Sequence, residues 1–183
     1  MKKIKRLFII ILIVLAAFFC INKIAEKIYP LGHKDYVENY ALKYDVPEML
    51  VYGIIKAESN FNHNAVSNKN ASGLMQIMEP TGEWIAEKLG ITDFDAEMLS
   101  DPETNIEMGC FYISYLLDMY DGDRKCALSA YNAGYANVNS WLLNKKYSYD
   151  GETLNVIPYP ETEKYVNIVM QNEKIYEFLY EER

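Results

Sequence analysis

Glu58 is the side chain in this sequence best placed to do chemistry. It closes the run Pro47-Glu48-Met49-Leu50-Val51-Tyr52-Gly53-Ile54-Ile55-Lys56-Ala57. Val51, Ile54, Ile55 and Glu58 fall at i, i+3, i+4 and i+7, so the acid shares the apolar face of a helix. A carboxyl on that stripe is partly withdrawn from water, which disfavours its charged form and raises its pKa. Such an acid keeps its proton near neutral pH and can pass it to a leaving group. The opposing reading, a helix C-terminus whose last acid turns out to solvent, stays open from this stretch alone.

Four blocks of residues in order decide how Glu58 is read. They are Glu58-Ser59, Gly73-Leu74-Met75-Gln76-Ile77-Met78, Ala130-Tyr131-Asn132-Ala133-Gly134, and Ile157-Pro158-Tyr159-Pro160-Glu161-Thr162 with Tyr165-Val166. Together they resemble the motif set of the soluble lytic transglycosylase (SLT) family, over roughly residues 36–176. The resemblance implies a mainly α, lysozyme-like helical domain that cleaves peptidoglycan glycan strands. Glu58 would protonate the β-1,4 oxygen between N-acetylmuramic acid and N-acetylglucosamine. It would then act as base on the muramic C6 hydroxyl, leaving a 1,6-anhydro end, with the substrate's own N-acetyl group steadying the cationic centre. Ordinary glycosidases use two carboxyls roughly 5 to 9.5 Å apart, whereas this motif set supplies one clear acid.

The resemblance assigns substrate binding to Ser67, Gln76, Met78, Tyr131, Asn132 and Glu161, with Glu161 contacting a tyrosine and the sugar. Gln76 offers the donors and acceptor that an N-acetyl sugar requires. No metal or organic cofactor is implied. Two alternatives remain: a goose-type lysozyme-like hydrolase of the same bond, and an inert membrane-tethered glycan-binding or assembly module. One departure from the family pattern stands at the groove rim, where Glu79 precedes Pro80 instead of a proline following Met78 directly.

Each of these residues has a bland reading too. By pattern alone Met75 and Met78 are core, Tyr131 is a tied core tyrosine and Trp141 is core in preference to a sugar platform. Glu161 is an acid favoured by the dipole in a first helical turn. Asn60 to Asn70 is a polar loop with little to form regular structure.

The supporting elements follow from helical spacing and end signals. A first amphipathic helix covers His33 to Tyr44, and the acid-bearing helix begins with Pro47 in its first turn. Thr81 to Leu89 makes a third helix and Ile91 to Ser100 a loop. A longer helix starts at Asp101-Pro102, with Ile106, Cys110, Ile113, Leu116 or Leu117 and Tyr120 inward and Gly109 marking close helix contact. Asp121-Gly122-Asp123 is a turn without the ligand pattern of a calcium loop. Arg124 to Tyr131 is helical and stops at Gly134. After the polar loop Lys145 to Leu154, a last helix turns Val166, Val169, Ile175 or Tyr176 and Leu179 inward.

At 183 residues, with 50% hydrophobic and 14% aromatic content, the chain holds one domain with a core plus a short extra segment. The formal net charge of −8, with basic residues clustered only at the N-terminus, argues against a nucleic-acid binder. Cys20, Cys110 and Cys126 imply no disulfide framework; two buried free thiols are expected at Cys110 and Cys126, with a bridge between them as the alternative outside the cytosol. His33 and His63, the only histidines, have no zinc-site spacing.

Residues 1–6 carry Lys2, Lys3, Lys5 and Arg6, and 7–24 form an apolar run of about 18 residues, near the lower limit for a membrane helix. The basic flank is expected to stay cytoplasmic, leaving the rest of the chain outside. A cleaved signal peptide is the alternative, though no small-x-small site follows the run. Cys20 is not preceded by the small residues a lipoprotein site needs. Residues 25–32 read as a juxtamembrane connector and 33–183 as the catalytic domain. The membrane and the glycan strand are the partners this implies; the sequence names no protein partner.

Overall fold

In the computed structural model, which describes residues 2–181, every residue from Met49 to Ile55 is buried. The segment is helix α3 (Glu48–Glu58). A helix apolar on all sides must be enclosed by others, and α3 runs through the middle of the helical body. Pro47 caps it and does not join the first turn. Its principal partner is α8 (Pro160–Tyr176). Gly53 makes that contact close: a Cβ there would lie 3.1 Å from the Val169 carbonyl oxygen and 3.2 Å from the Glu173 nitrogen. The Asn172 amide donates to the Gly53 carbonyl at 3.2 Å. Backbone thus meets backbone where the two helices cross.

Around this pair stand α2 (Lys34–Lys43), α5 (Pro102–Met119), α6 (Arg124–Ala133) and α7 (Tyr135–Leu142). Asp101 and Asp123 cap α5 and α6 by accepting from Thr104 and Cys126 nitrogens, the arrangement that satisfies first-turn donors. Trp141 is buried and packs edge-on against Tyr159 at 4.9 Å. Cys110 and Cys126 are buried free thiols.

A smaller lobe leans on this body. It holds a two-stranded antiparallel hairpin, β1 (Ala71–Ser72) with β2 (Ile77–Met78), paired Ala71 to Met78 and Ser72 to Ile77. Helix α4 (Glu79–Leu89) follows at once, and Ala96–Ser100 forms a 3-10 turn. Its own core gathers Ile77, Ile85, Ala86, Leu99 and Met108. The stretch Asn60 to Asn70 before the hairpin is turns and irregular chain, as expected, with one isolated bridge from Val66 to Ser72. The close contact at Gly109 is with the Met75 side chain, so a loop and not a helix fills that space.

Helix α1 (Lys2–Ile28) contains one window, Ile9–Ile28, long and apolar enough to cross a membrane. Of the basic flank, the side chains of Lys2, Lys3 and Arg6 lie outside those described. The segment after α1 is a docked piece of chain and no loose tether. Tyr180 donates to the Tyr29 carbonyl at 2.6 Å, Tyr176 to that of Pro30 at 3.2 Å, and Lys56 to that of Ile28 at 2.7 Å. The Tyr29 ring stands edge-on to Tyr176 at 5.5 Å and under the Lys56 ammonium at 5.1 Å.

These contacts predict that a fragment beginning at Ala25 is more stable than one beginning at Lys34, by about 1–3 kcal/mol for the lost ring and aliphatic burial. For a domain of this size that is a rise of several degrees in melting temperature. Thermal unfolding of the two fragments side by side checks it, and equal melting temperatures would show that Tyr29 to Leu31 contribute nothing.

Candidate active site

Immediately after Glu58 the backbone reverses. Asn60 and Phe61 both take positive φ, 49° and 66°, so the helix cannot continue and Glu58 is its last residue. Asn adopts this conformation readily and Phe does not. The Phe61 ring is held within 6.4 Å of Tyr52, packed against the main core. The result is a carboxyl at the negative end of a buried helix, where the dipole also disfavours its charge.

Glu58 opens onto a groove of about 620 Å³, within the range of small-molecule sites. Its walls come from both lobes: Ser67 to Lys69 and Ala71 on one side, Gln76, Met78 and Thr81 on another, Tyr112, Tyr131 to Gly134 and Glu161 opposite. All seven residues singled out from the sequence, Glu58, Ser67, Gln76, Met78, Tyr131, Asn132 and Glu161, line this one groove.

Burial pushes the Glu58 pKa from its ordinary 4.5 up to about 7, and the Tyr165 hydroxyl pulls it down by less than burial raises it. Tyr165 is itself buried. Its hydroxyl faces Glu58 and Tyr131 but completes no hydrogen bond of good geometry, so it biases the carboxyl without clamping it. Tyr131 is tied elsewhere, donating to the Met75 carbonyl at 2.8 Å.

The remaining polar groups are each half-committed. Gln76 has φ of 49°, a strained conformation for a side chain of its kind, and its Nε2 donates to the carbonyls of Ala65 at 3.0 Å and Gly73 at 2.9 Å. Both donors are therefore spent, which corrects the expectation that Gln76 offers donors as well as an acceptor: Oε1 alone is left. Asn132 accepts from Thr162 Oγ1 at 2.8 Å through Oδ1, leaving its NH₂. Ser67 Oγ accepts from the nitrogens of Lys69 and Ala71 at 3.2 and 3.0 Å, leaving its proton. Met78 is 44% exposed while Met75 is fully buried, so only the former belongs to the groove.

Glu161 stands in the open, with its side chain 77% exposed and 3.7 Å from Lys69 Nζ. The tyrosine beside Glu58 is Tyr165, one turn beyond Glu161 along α8; Glu161 itself pairs with Lys69.

Asn105, Tyr112 and Lys69 escaped the sequence reading. Asn105 is fully buried and uses its whole amide, accepting from Met75 nitrogen at 2.7 Å and donating to the Ser72 and Leu99 carbonyls at 3.0 and 2.9 Å. It fixes the turn that presents Gln76. Gly73, with φ of 81°, packs so closely that a Cβ would collide with Asn105 and the Leu99 carbonyl. Tyr112, whose ring lies 5.3 Å from that of Tyr131, forms a wall of the groove. Its only signal was an aromatic pair, Phe111-Tyr112, off the apolar stripe of α5. Lys69 gave no signal beyond its place in the loop.

The Glu58 shift predicts a pH-dependent stability. An acid whose folded pKa exceeds its unfolded value takes up a proton on folding between the two. Its cost is therefore absent below about pH 4.5 and complete above about pH 7. Glu58→Gln, neutral throughout, is expected to be more stable than the parent by about 2–3 kcal/mol at pH 8 and indistinguishable at pH 4. Denaturant unfolding at the two values measures this, and a constant difference would contradict it.

Comparisons with known proteins agree with this architecture. Residues 35–154 match the profile of the transglycosylase SLT domain; the match stops before α8, which nonetheless supplies Tyr165 and Glu161. The chain is 32% identical over 155 residues to the soluble lytic murein transglycosylase of Escherichia coli K12, covering 84% of this chain and 24% of that protein. It is 34% identical over 127 residues to the membrane-bound lytic murein transglycosylase C of Photorhabdus laumondii, covering 64% and 34%. Among solved structures it superposes with a TM-score of 0.72, at 31% identity, on the lytic transglycosylase Slt of Pseudomonas aeruginosa in an inactive Glu-to-Gln form, covering 82% of this chain and 24% of that one. The chain thus spans about a quarter of the length of the soluble relatives. With its lysozyme-like body, its groove and its matched segment, the chain belongs to the transglycosylase SLT domain family.

Proposed function

We propose that this chain is a peptidoglycan lytic transglycosylase in which Glu58 serves first as acid and then as base. The observation that carries the reading is a single half-buried carboxyl lining the groove, with its pKa pushed to about 7 by desolvation. The other acid lining that groove is exposed and paired with Lys69, and no second carboxylate perturbs Glu58. Most glycosidases that hydrolyse through water use a second carboxylate as nucleophile or base. One acid suffices if the attacking oxygen belongs to the substrate.

In this reading Glu58 donates its proton to the glycosidic oxygen as the C1–O bond of N-acetylmuramic acid breaks, releasing the N-acetylglucosamine hydroxyl. The Glu58 carboxylate then accepts the C6 hydroxyl proton while the C6 oxygen bonds to C1. The acid is regenerated, no water is consumed, and the product is a 1,6-anhydro end. A pKa near neutrality serves both halves, since the group must give and take a proton at the same pH. Gln76 Oε1, the Asn132 NH₂ and the Ser67 hydroxyl offer an acceptor and donors for holding the sugar's amide and hydroxyls in register. The inactive Glu-to-Gln form of the Pseudomonas relative supports dependence on one acid. Ile9–Ile28 would anchor the chain in the cell membrane, basic flank inside and groove on the extracytoplasmic face, in keeping with the membrane-bound relative.

Mass spectrometry of digested peptidoglycan tests the proposal. The expected products are lighter by one water than hydrolytic ones, and Glu58→Gln is expected to lower their rate of formation by at least about a thousandfold. Products carrying the added water would establish hydrolysis instead, and unchanged cleavage by the variant would remove Glu58 from the mechanism.

A further inference from the structure

The last two turns of α1 are packed against the domain. Asn22 is buried and Ala25, Glu26 and Tyr29 are half-buried, at i, i+3, i+4 and i+7, while Ile21, Lys23, Ile24, Lys27 and Ile28 around them are exposed. The stripe is covered where α1 meets the terminal π-helical turn Glu177–Glu181. The carbonyls of Ile28, Tyr29 and Pro30 stand at and just past the helix end, where intrahelical donors run out. Lys56, Tyr180 and Tyr176 donate to them in turn. The Lys56 ammonium on the Ile28 carbonyl also answers the negative end of the helix dipole. Side chains of the domain thus cap α1, and the turn lies beside the C-terminal end of the apolar window Ile9–Ile28. Within the turn Leu179 is buried, whereas the Phe178 ring is 55% exposed.

We propose that the turn Glu177–Glu181 rests in the headgroup layer of the membrane that α1 crosses, with the Phe178 ring as a second point of contact with lipid. The inference rests on the reading of Ile9–Ile28 as an anchor and adds that the domain is seated on the bilayer in one orientation. Because the turn is docked on α1, a bilayer that takes up the window brings the turn to its surface. Lys23 and Lys27, exposed on the same stretch, set the depth, since ammonium groups on long stems reach for the headgroups. An exposed aromatic ring at that level suits the interface, and the acids Glu177 and Glu181 keep the turn out of the hydrocarbon. Lipid is the occupant, in preference to a partner protein, because the face is continuous with the anchor itself. The 17 residues of α8 then lead from the membrane to the groove and span about 25 Å, at roughly 1.5 Å each. Glu161, in the first turn of α8, is thereby held within about 25 Å of the headgroups, which confines cleavage to glycan near the membrane.

The test uses the full chain in vesicles of phosphatidylethanolamine and phosphatidylglycerol, with lipids brominated near the headgroup or near the chain end as quenchers of tryptophan emission. Emission of the parent, from Trp84 and Trp141, is subtracted. Phe178→Trp is expected to lose most of its added emission to the shallow bromines and little to the deep ones, and Leu15→Trp the reverse. Both positions are exposed in the protein, so the fold is kept, and melting temperatures verify it. Emission at 178 quenched only by aqueous iodide, with Leu15→Trp still quenched by lipid, would put the turn in water and overturn the proposal. Deep quenching at both positions would overturn the headgroup placement. With Tyr29→Ala and Tyr180→Phe added, the shallow quenching at 178 is expected to fall while that at 15 stays. Quenching that persists at 178 would show that the turn reaches lipid without the docked segment and would overturn the coupling. Emission from Leu15→Trp that no lipid quenches would remove the anchor itself, and the proposal with it.

Discussion

The close crossing of α3 and α8 at Gly53 is the constraint from which the rest follows. Because a Cβ at that position would press on backbone atoms of α8, the two helices lie against each other and α3 is enclosed along its length. A helix that is enclosed and then ended by two residues of positive φ has nowhere to put its final side chain but the interior edge. Glu58 is therefore held out of water by the scaffold. Its raised pKa costs stability at neutral pH, a cost borne elsewhere in the packing, as is common where chemistry requires an uncomfortable group.

Around that acid the groove is organised by partial satisfaction. Gln76, Asn132 and Ser67 each spend one end of the side chain on the protein, and among the described residues the other end makes no hydrogen bond. Tyr131 is fully engaged with Met75 and so shapes the site without being free to rotate. Asn105, beneath them, holds the turn carrying Gln76 with every bond its amide can make there. Preorganisation of this kind avoids ordering the side chains when substrate arrives.

Much of this was readable before any coordinates. The apolar stripe through Val51, Ile54 and Ile55 placed Glu58 inward, and the ordered blocks led to the groove-lining residues. Helix ends followed from Asp101-Pro102 and Gly134, whose local chemistry is decided within a few residues. The roles that depend on distant partners were not readable. That Gln76 retains only an acceptor follows from the carbonyls of Ala65 and Gly73, and that Glu161 meets Lys69 follows from a loop brought across from the other lobe. Asn105, a polar residue near the start of a helix, resembles many surface residues in sequence and is distinguished only by what folds over it. The docking of Tyr29 against Tyr176 and Tyr180 likewise joins opposite ends of the chain.

The account stands on the protonation state of one carboxyl. Carbon-13 NMR titration of the Glu58 side-chain carboxyl, assigned by comparison with Glu58→Gln, reads it directly. A midpoint near pH 7 is the predicted result; a midpoint near 4.5, the ordinary value for a solvated glutamate, would show that the groove does not withdraw the acid from water and would contradict the account.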